Sequence, residues 1–278
     1  MAASAELAFK EASDSGSLLS GSTITVERAD STCVDSAAAT TAAEGLVSGG
    51  VVAIMGADCS GVTGAIATNV AVPNGVVMIS PSATSPGLTT LDDKGFFFRT
   101  APSDARGGQI LANITKDRKV KSVAITYTNN DYGKGLADVY AAAVKAHGIK
   151  VTAVAAHEDG KADYSAEVAT LASAGGDAVA VIGYLDQGGK GMIEASLDSG
   201  AFDLFVLSDG MIGQSLADAI GSDLEGSFGS MPGAISKGSA KFGELAAANG
   251  MEGTMLKKSR SEERRVGKEC RSRWSPYH

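Results

Sequence analysis

The sequence predicts an α/β protein made of two doubly wound parallel-sheet lobes, and three observations predict it. Strand-like apolar runs alternate with helical patterns, the mark of βαβ units and a parallel sheet. The alternation halts at the turn Ala101-Pro-Ser-Asp104 and then begins again. With 278 residues, 44% apolar and 20% charged, the chain has the length and composition for two globular cores.

Taken in order, the opening Ala5-Glu-Leu-Ala-Phe-Lys-Glu-Ala12 reads as the middle of a helix. The first series runs strand 23–28, helix 35–48, strand 51–55, helix 61–69 and strand 76–79, followed by a short strand 96–100. The second runs helix 105–118, strand 122–127, helix 133–147, strand 151–155, helix 164–174, strand 178–182, helix 188–199 and strand 204–207. A strand 227–231 then leads through Pro232-Gly233 into a helix 239–249. The expected organisation is therefore lobe 1 over 1–101, lacking a first strand, lobe 2 over 102–231, and a return segment into lobe 1 over 232–259. The chain reads as truncated at both ends, and both lobes look unfinished.

From Arg260 to His278 the composition changes abruptly, with six basic residues, three acidic ones and the chain's single Trp. This tail resembles the translation of a common sequencing adapter and is set aside as an artefact. The first 259 residues then hold 18 basic and 29 acidic side chains, a net charge of −11, which argues against nucleic acid as a partner. Cys33 and Cys59 remain as an even pair, compatible with an oxidising compartment. No apolar run reaches the roughly 18 residues of a membrane span, and the first residues lack a secretory leader.

Parallel α/β sheets bind ligands outside the carboxyl ends of their strands. The residues there are Asp58-Cys-Ser-Gly61, the hydroxyl-rich turn Ser80 to Ser85, Asn129-Asn-Asp-Tyr132, Tyr184-Leu-Asp186 and Ser208-Asp209. A free amino acid needs hydroxyls and backbone N–H groups for its carboxylate, and a carboxylate and carbonyl oxygens for its ammonium. Ser60, at a helix start, and Asp209 supply such groups. Taken singly, Ser60 also fits an N-cap, Asp209 a turn acid, and Tyr132 and Tyr184 rim aromatics. Cys33 and Cys59 follow consecutive expected strands, neighbours in a parallel sheet, which would bring their Cα atoms within reach of a disulfide; the bland alternative is two small buried thiols.

Enzymatic patterns are scarce. His147 and His157 have no metal-ligand spacing to another His or Cys, so no metal or other cofactor is expected. Gly188-Gly-Lys-Gly191 lacks the spacing of a phosphate loop and reads as a Gly-rich helix entry. No Ser/His or Cys/His pair presents itself, so the expectation is a binding protein rather than an enzyme.

In Cys33…Cys59-Ser60, Ile79-Ser-Pro-Ser-Ala-Thr-Ser-Pro86, Phe98-Arg-Thr100, Asn130-Asp-Tyr-Gly-Lys-Gly135 and Asp163-Tyr-Ser165, the chain resembles the branched-chain amino acid (Leu/Ile/Val) binding proteins of ABC transporters. These have a type I periplasmic-binding fold. The resemblance covers essentially everything before Arg260. It implies a Cys33–Cys59 disulfide, a ligand carboxylate held by Ser60 and Thr84, and an ammonium near Thr84 and the Ser82 carbonyl. Tyr132 and Tyr184 would close over the ligand. Asp209 would replace an acid, often Glu, that pairs with the ammonium; being one methylene shorter, it makes a looser or water-bridged contact. The family's first strand, last third and secretion signal are missing from the match.

The implied function is periplasmic capture of a free amino acid, branched-chain or aliphatic, by hinge closure and its delivery to the membrane permease of an ABC transporter. Two rivals stand beside it: a ligand-sensing receptor domain of the same fold, and a relative that binds amides, urea or aromatic acids. A downstream membrane span distinguishes the first, whereas Asp209 argues for an ammonium-bearing ligand over a plain acid.

Overall fold

The structure, a computed structural model, describes residues 2–18, 21–233 and 237–250, with 237–240 described by backbone alone. The end of the expected return segment (251–259) and the tail 260–278, with Cys270, lie outside the described residues. Two compact units emerge. One comprises the chain up to Pro102 together with the segment from Lys241; the other is Ser103–Ala240.

The first unit begins with helix α1 (Ala2–Asp14) and continues through α2 (Ser36–Ser48), β1 (Ala53–Met55), α3 (Ser60–Ile66), β2 (Val77–Ser80) and β3 (Phe97–Arg99). The strands form a parallel sheet in the order β1-β2-β3, with Met78 paired to Ile54 on one side and Phe97 on the other. Helix α2 starts where it does because Asp35 caps it: its carboxylate accepts from the N–H groups of Ala37 (3.0 Å) and Ala38 (2.9 Å). Helix α3 runs on into a π-turn, Ala67–Ala71, and buries Val62, Ile66, Ala67 and Val70.

The strand expected over 23–28 is absent. Residues 21–30 are exposed and belong to no ladder; the Ile24 N–H instead bonds the Ser13 hydroxyl of α1 at 3.0 Å, and Arg28 pairs with Glu6. Alternating side chains make a strand only where a neighbour completes the backbone ladder. Among the described residues β1 pairs with β2 alone.

The second unit contains α4 (Asp104–Asp117), β4 (Ser122–Thr128), α5 (Asp131–Ala146), β5 (Lys150–His157), α6 (Ser165–Ala174), β6 (Ala178–Ile182), α7 (Lys190–Asp198), β7 (Phe205–Leu207), α8 (Gln214–Ile220) and β8 (Phe228–Gly229). Helix α9 (Lys237–Ala248) follows and passes back to the first unit at Lys241. All five strands are parallel in the order β5-β4-β6-β7-β8, the doubly wound arrangement in which the second strand lies outside the first.

Alternation along the central strand β6 divides the core. Ala178, Ala180 and Ile182 face one layer with Leu136, Tyr140 and Val144 of α5; Val179 and Val181 face the other with Val168 and Leu171 of α6 and Ile193 of α7. Every residue of β6 is buried, as a parallel sheet covered on both faces requires. Several expected boundaries move, two of them with a local cause or a clear loss of length. The strand expected over 227–231 shrinks to β8, and the helix expected from 188 starts at Lys190, because Gln187 and Gly188 have non-helical backbone angles.

Candidate functional site

In the first unit the loops after β1 and β2 are tied together by hydroxyls. Ser80, at the end of β2, is buried and donates to the Ala57 carbonyl (2.6 Å); it accepts from the N–H groups of Ala83 (3.0 Å) and Ser82 (3.4 Å). The Ser82 hydroxyl reaches across to the Asp58 carbonyl at 2.8 Å. Ser60 is the first residue of α3, with Cys59 rather than Ser60 in the capping position. Its buried hydroxyl accepts from the Ser85 N–H at 3.1 Å, so an N-cap role is excluded. Thr84 is buried on the same turn. Cys33 and Cys59 form a disulfide, with Cα atoms 5.3 Å apart.

Arg99 has a part in this turn that the sequence reading did not give it. Its guanidinium donates to the carbonyls of Ala83 (3.2 Å) and Ser85 (2.8 Å) and to the Thr89 hydroxyl, holding the turn on both sides of Thr84. The available signal was its place at the end of β3, beside the end of β2.

In the second unit the structure brings Tyr132, Tyr184 and Asp209 together. Tyr132 lies in the first turn of α5, where Asn130 caps the helix by accepting from the Gly133 N–H at 2.8 Å. Its ring lies 4.8 Å from that of Tyr184, tilted by 33°, and its hydroxyl donates to Asp209 Oδ1. The Gly210 N–H donates to the same hydroxyl at 3.2 Å. Burial raises the Asp209 carboxyl pKa above the ordinary value, against the lowering effect of Tyr132 and nearby backbone N–H groups. Burial likewise pushes the Tyr132 phenol upward, and the charges of Asp209 and Asp104 add to that. No Lys, Arg or His forms an ion pair with Asp209 among the described residues.

Beneath this cluster lies a polar core that sequence reasoning missed. His157 ends β5 fully buried, with Nδ1 2.8 Å from the Thr126 hydroxyl and Nε2 3.1 Å from the Thr128 hydroxyl. Thr128 also donates to the Gln187 carbonyl (3.3 Å) and accepts from the Tyr184 N–H (3.3 Å). These residues come from the ends of β4, β5 and β6, an adjacency set by strand order. The glycines at 188, 189 and 191 serve packing: a Cβ at Gly188 would lie 2.7 Å from the Tyr164 hydroxyl, and one at Gly191 2.4 Å from the Tyr164 ring. Among the described residues no group of His, Cys, Asp or Glu is arranged to hold a metal ion. No described helix is long and apolar enough to cross a membrane.

Residues 1–227 match the family described as the receptor family ligand binding region. Among curated proteins, Leu/Ile/Val-binding protein homolog 3 of Brucella melitensis biotype 1 is 38% identical over 144 residues, or 49% of this chain and 39% of that protein. Homolog 1 from the same organism is 31% identical over 225 residues, or 80% of this chain and 59% of that protein. The chain thus spans less than two thirds of the length of these relatives. Among solved structures, the branched-chain amino acid transporter substrate binding protein LivJ from Streptococcus pneumoniae, in complex with isoleucine, superposes with a TM-score of 0.74 at 27% identity, covering 88% of this chain and 70% of that one. The leucine binding protein LivK from Thermotoga maritima gives 0.77 at 23% identity over the same shares, a likeness of fold.

Proposed function

The chain belongs to the receptor family ligand binding region, and on that premise we propose that it is the solute-binding component of an ABC transporter, capturing a free aliphatic amino acid by hinge closure. It acts in the periplasm, performs no covalent chemistry and hands its ligand to a membrane permease. In this reading Ser60 and Thr84 hold the carboxylate, and Asp209 with the Ser82 carbonyl holds the ammonium. Tyr132 and Tyr184 cover the ligand.

The observation that carries the reading is the state of Asp209. A half-buried carboxylate with a raised pKa and no cationic partner among the described residues is a negative charge short of compensation, and a ligand ammonium supplies it. The hydroxyl-rich turn around Thr84, fixed by Ser80 and Arg99, offers the complementary donors. Names of the relatives point the same way, since they are Leu/Ile/Val-binding proteins.

The test is calorimetric titration with leucine, valine, alanine, glutamate and 4-hydroxybenzoate, repeated on Thr84→Ala and Asp209→Asn. The expected result is saturable binding of the aliphatic amino acids, weakened at least about tenfold in each variant, the worth of one charge-assisted hydrogen bond. A folded protein that binds none of the five, or 4-hydroxybenzoate alone, overturns the reading.

A further inference from the structure

Tyr184 stands on a short loop, 183–189, between β6 and α7, and that loop lies directly on the Thr128 and His157 side chains. A Cβ at Gly183 would sit 1.9 Å from Thr128 Oγ1, and the residue has φ +148°, a conformation that favours glycine. A Cβ at Gly188 would meet the His157 ring at 2.8 Å. Both ends of the loop are therefore glycine because the backbone has to pass this close to the two side chains.

One proton assignment satisfies every polar group in the cluster. The Thr128 hydroxyl donates to the Gln187 carbonyl and accepts from the Tyr184 N–H and from His157 Nε2–H; His157 Nδ1 then accepts from the Thr126 hydroxyl. The Asn130 side-chain amide adds a 3.3 Å bond to Gln187 Oε1. One hydroxyl thus meets the loop at two points, at the amide of Tyr184 and at the carbonyl of Gln187.

We propose that Thr128 and His157 are positioning residues: through the loop they set the Tyr184 ring against Tyr132, and so prepare the surface that meets the ligand. This rests on the function proposed above for its consequence in binding, whereas the positioning itself is independent of any ligand. His157 braces Thr128, and Thr126 braces His157. Deleting the Thr128 hydroxyl takes this partner from the buried His157 Nε2–H and Gln187 carbonyl and from the Tyr184 N–H, and releases the loop.

The experiment uses the full chain and four variants: Thr128→Val, Thr128→Ser, His157→Asn and Tyr184→Leu. The part of the near-ultraviolet circular dichroism spectrum that Tyr184→Leu abolishes reports the Tyr132–Tyr184 pair without any ligand. Thr128→Val is expected to lose that part with its far-ultraviolet spectrum intact, His157→Asn to weaken it, and Thr128→Ser to retain it. Leucine affinity is expected to fall about twofold to tenfold in Thr128→Val, the span of one net hydrogen bond, and to return in Thr128→Ser. Thr128→Ala, with the same readings, replaces Thr128→Val if the latter does not fold. Preservation of the pair signal in the valine or alanine variant overturns the inference. If the parent protein binds no amino acid but the pair signal follows the hydroxyl, the positioning stands and only the proposed function fails.

Discussion

His157 ends β5 with each ring nitrogen opposite a threonine hydroxyl, and burial lowers its pKa from 6.5 to about 4, with Glu167 pulling weakly the other way. The folded protein therefore binds fewer protons than the unfolded chain between those values, so stability is complete above pH 6.5 and is lost as pH falls toward 4. The loss is about 1.4 kcal/mol per pH unit, roughly 3 kcal/mol in all. Urea denaturation at pH 7.5 and 4.5 should show the parent losing about that much more than His157→Asn; parallel losses would place the ring in a more hydrated setting. In the sequence His157 was visible only as a histidine past a strand, since its partners Thr126 and Thr128 lie on another strand.

At the scale of elements, the expected helix starts fell within two residues of the observed ones because capping chemistry is local. Asp35 precedes α2 and caps it with two hydrogen bonds, so Asp35→Ala should cost about 1 kcal/mol in urea denaturation, with Asp35→Asn recovering most of it. No loss in the alanine variant would mean that packing of Ala39 and Ala43 sustains the helix start. Helix α8 escaped prediction because seven residues between Gly213 and Gly221 are too few to show a helical period. The segment 23–28 failed in the opposite sense: its pattern suits a strand, yet β1 offers it no ladder among the described residues.

Across a whole unit, the Cys33–Cys59 disulfide joins the segment before α2 to the residue that precedes α3, closing a loop with a sequence separation of 26. In the chain-entropy account such a loop restricts the unfolded state by about 3.5 kcal/mol. Reduction, or the pair of changes Cys33→Ser and Cys59→Ser, should lower unfolding free energy by that order; an unchanged denaturation midpoint would show that the cross-link leaves the unfolded ensemble unrestricted. If the proposed function holds, leucine at a hundred times its dissociation constant offsets most of the loss with about 2.7 kcal/mol of linkage.

Local pattern determined that this chain is α/β, that its strands are parallel, and that polar residues gather just past strand ends, because periodicity and turn chemistry are properties of neighbouring residues. The family resemblance added the disulfide. Tertiary structure alone decided which of those residues meet: Tyr132 with Asp209 across 77 positions, Thr128 with the Tyr184 loop across 56, and Arg99 with the turn bearing Thr84. Strand order, register and the close passage of Gly183 over Thr128 create these meetings, and each depends on contacts between segments distant in sequence.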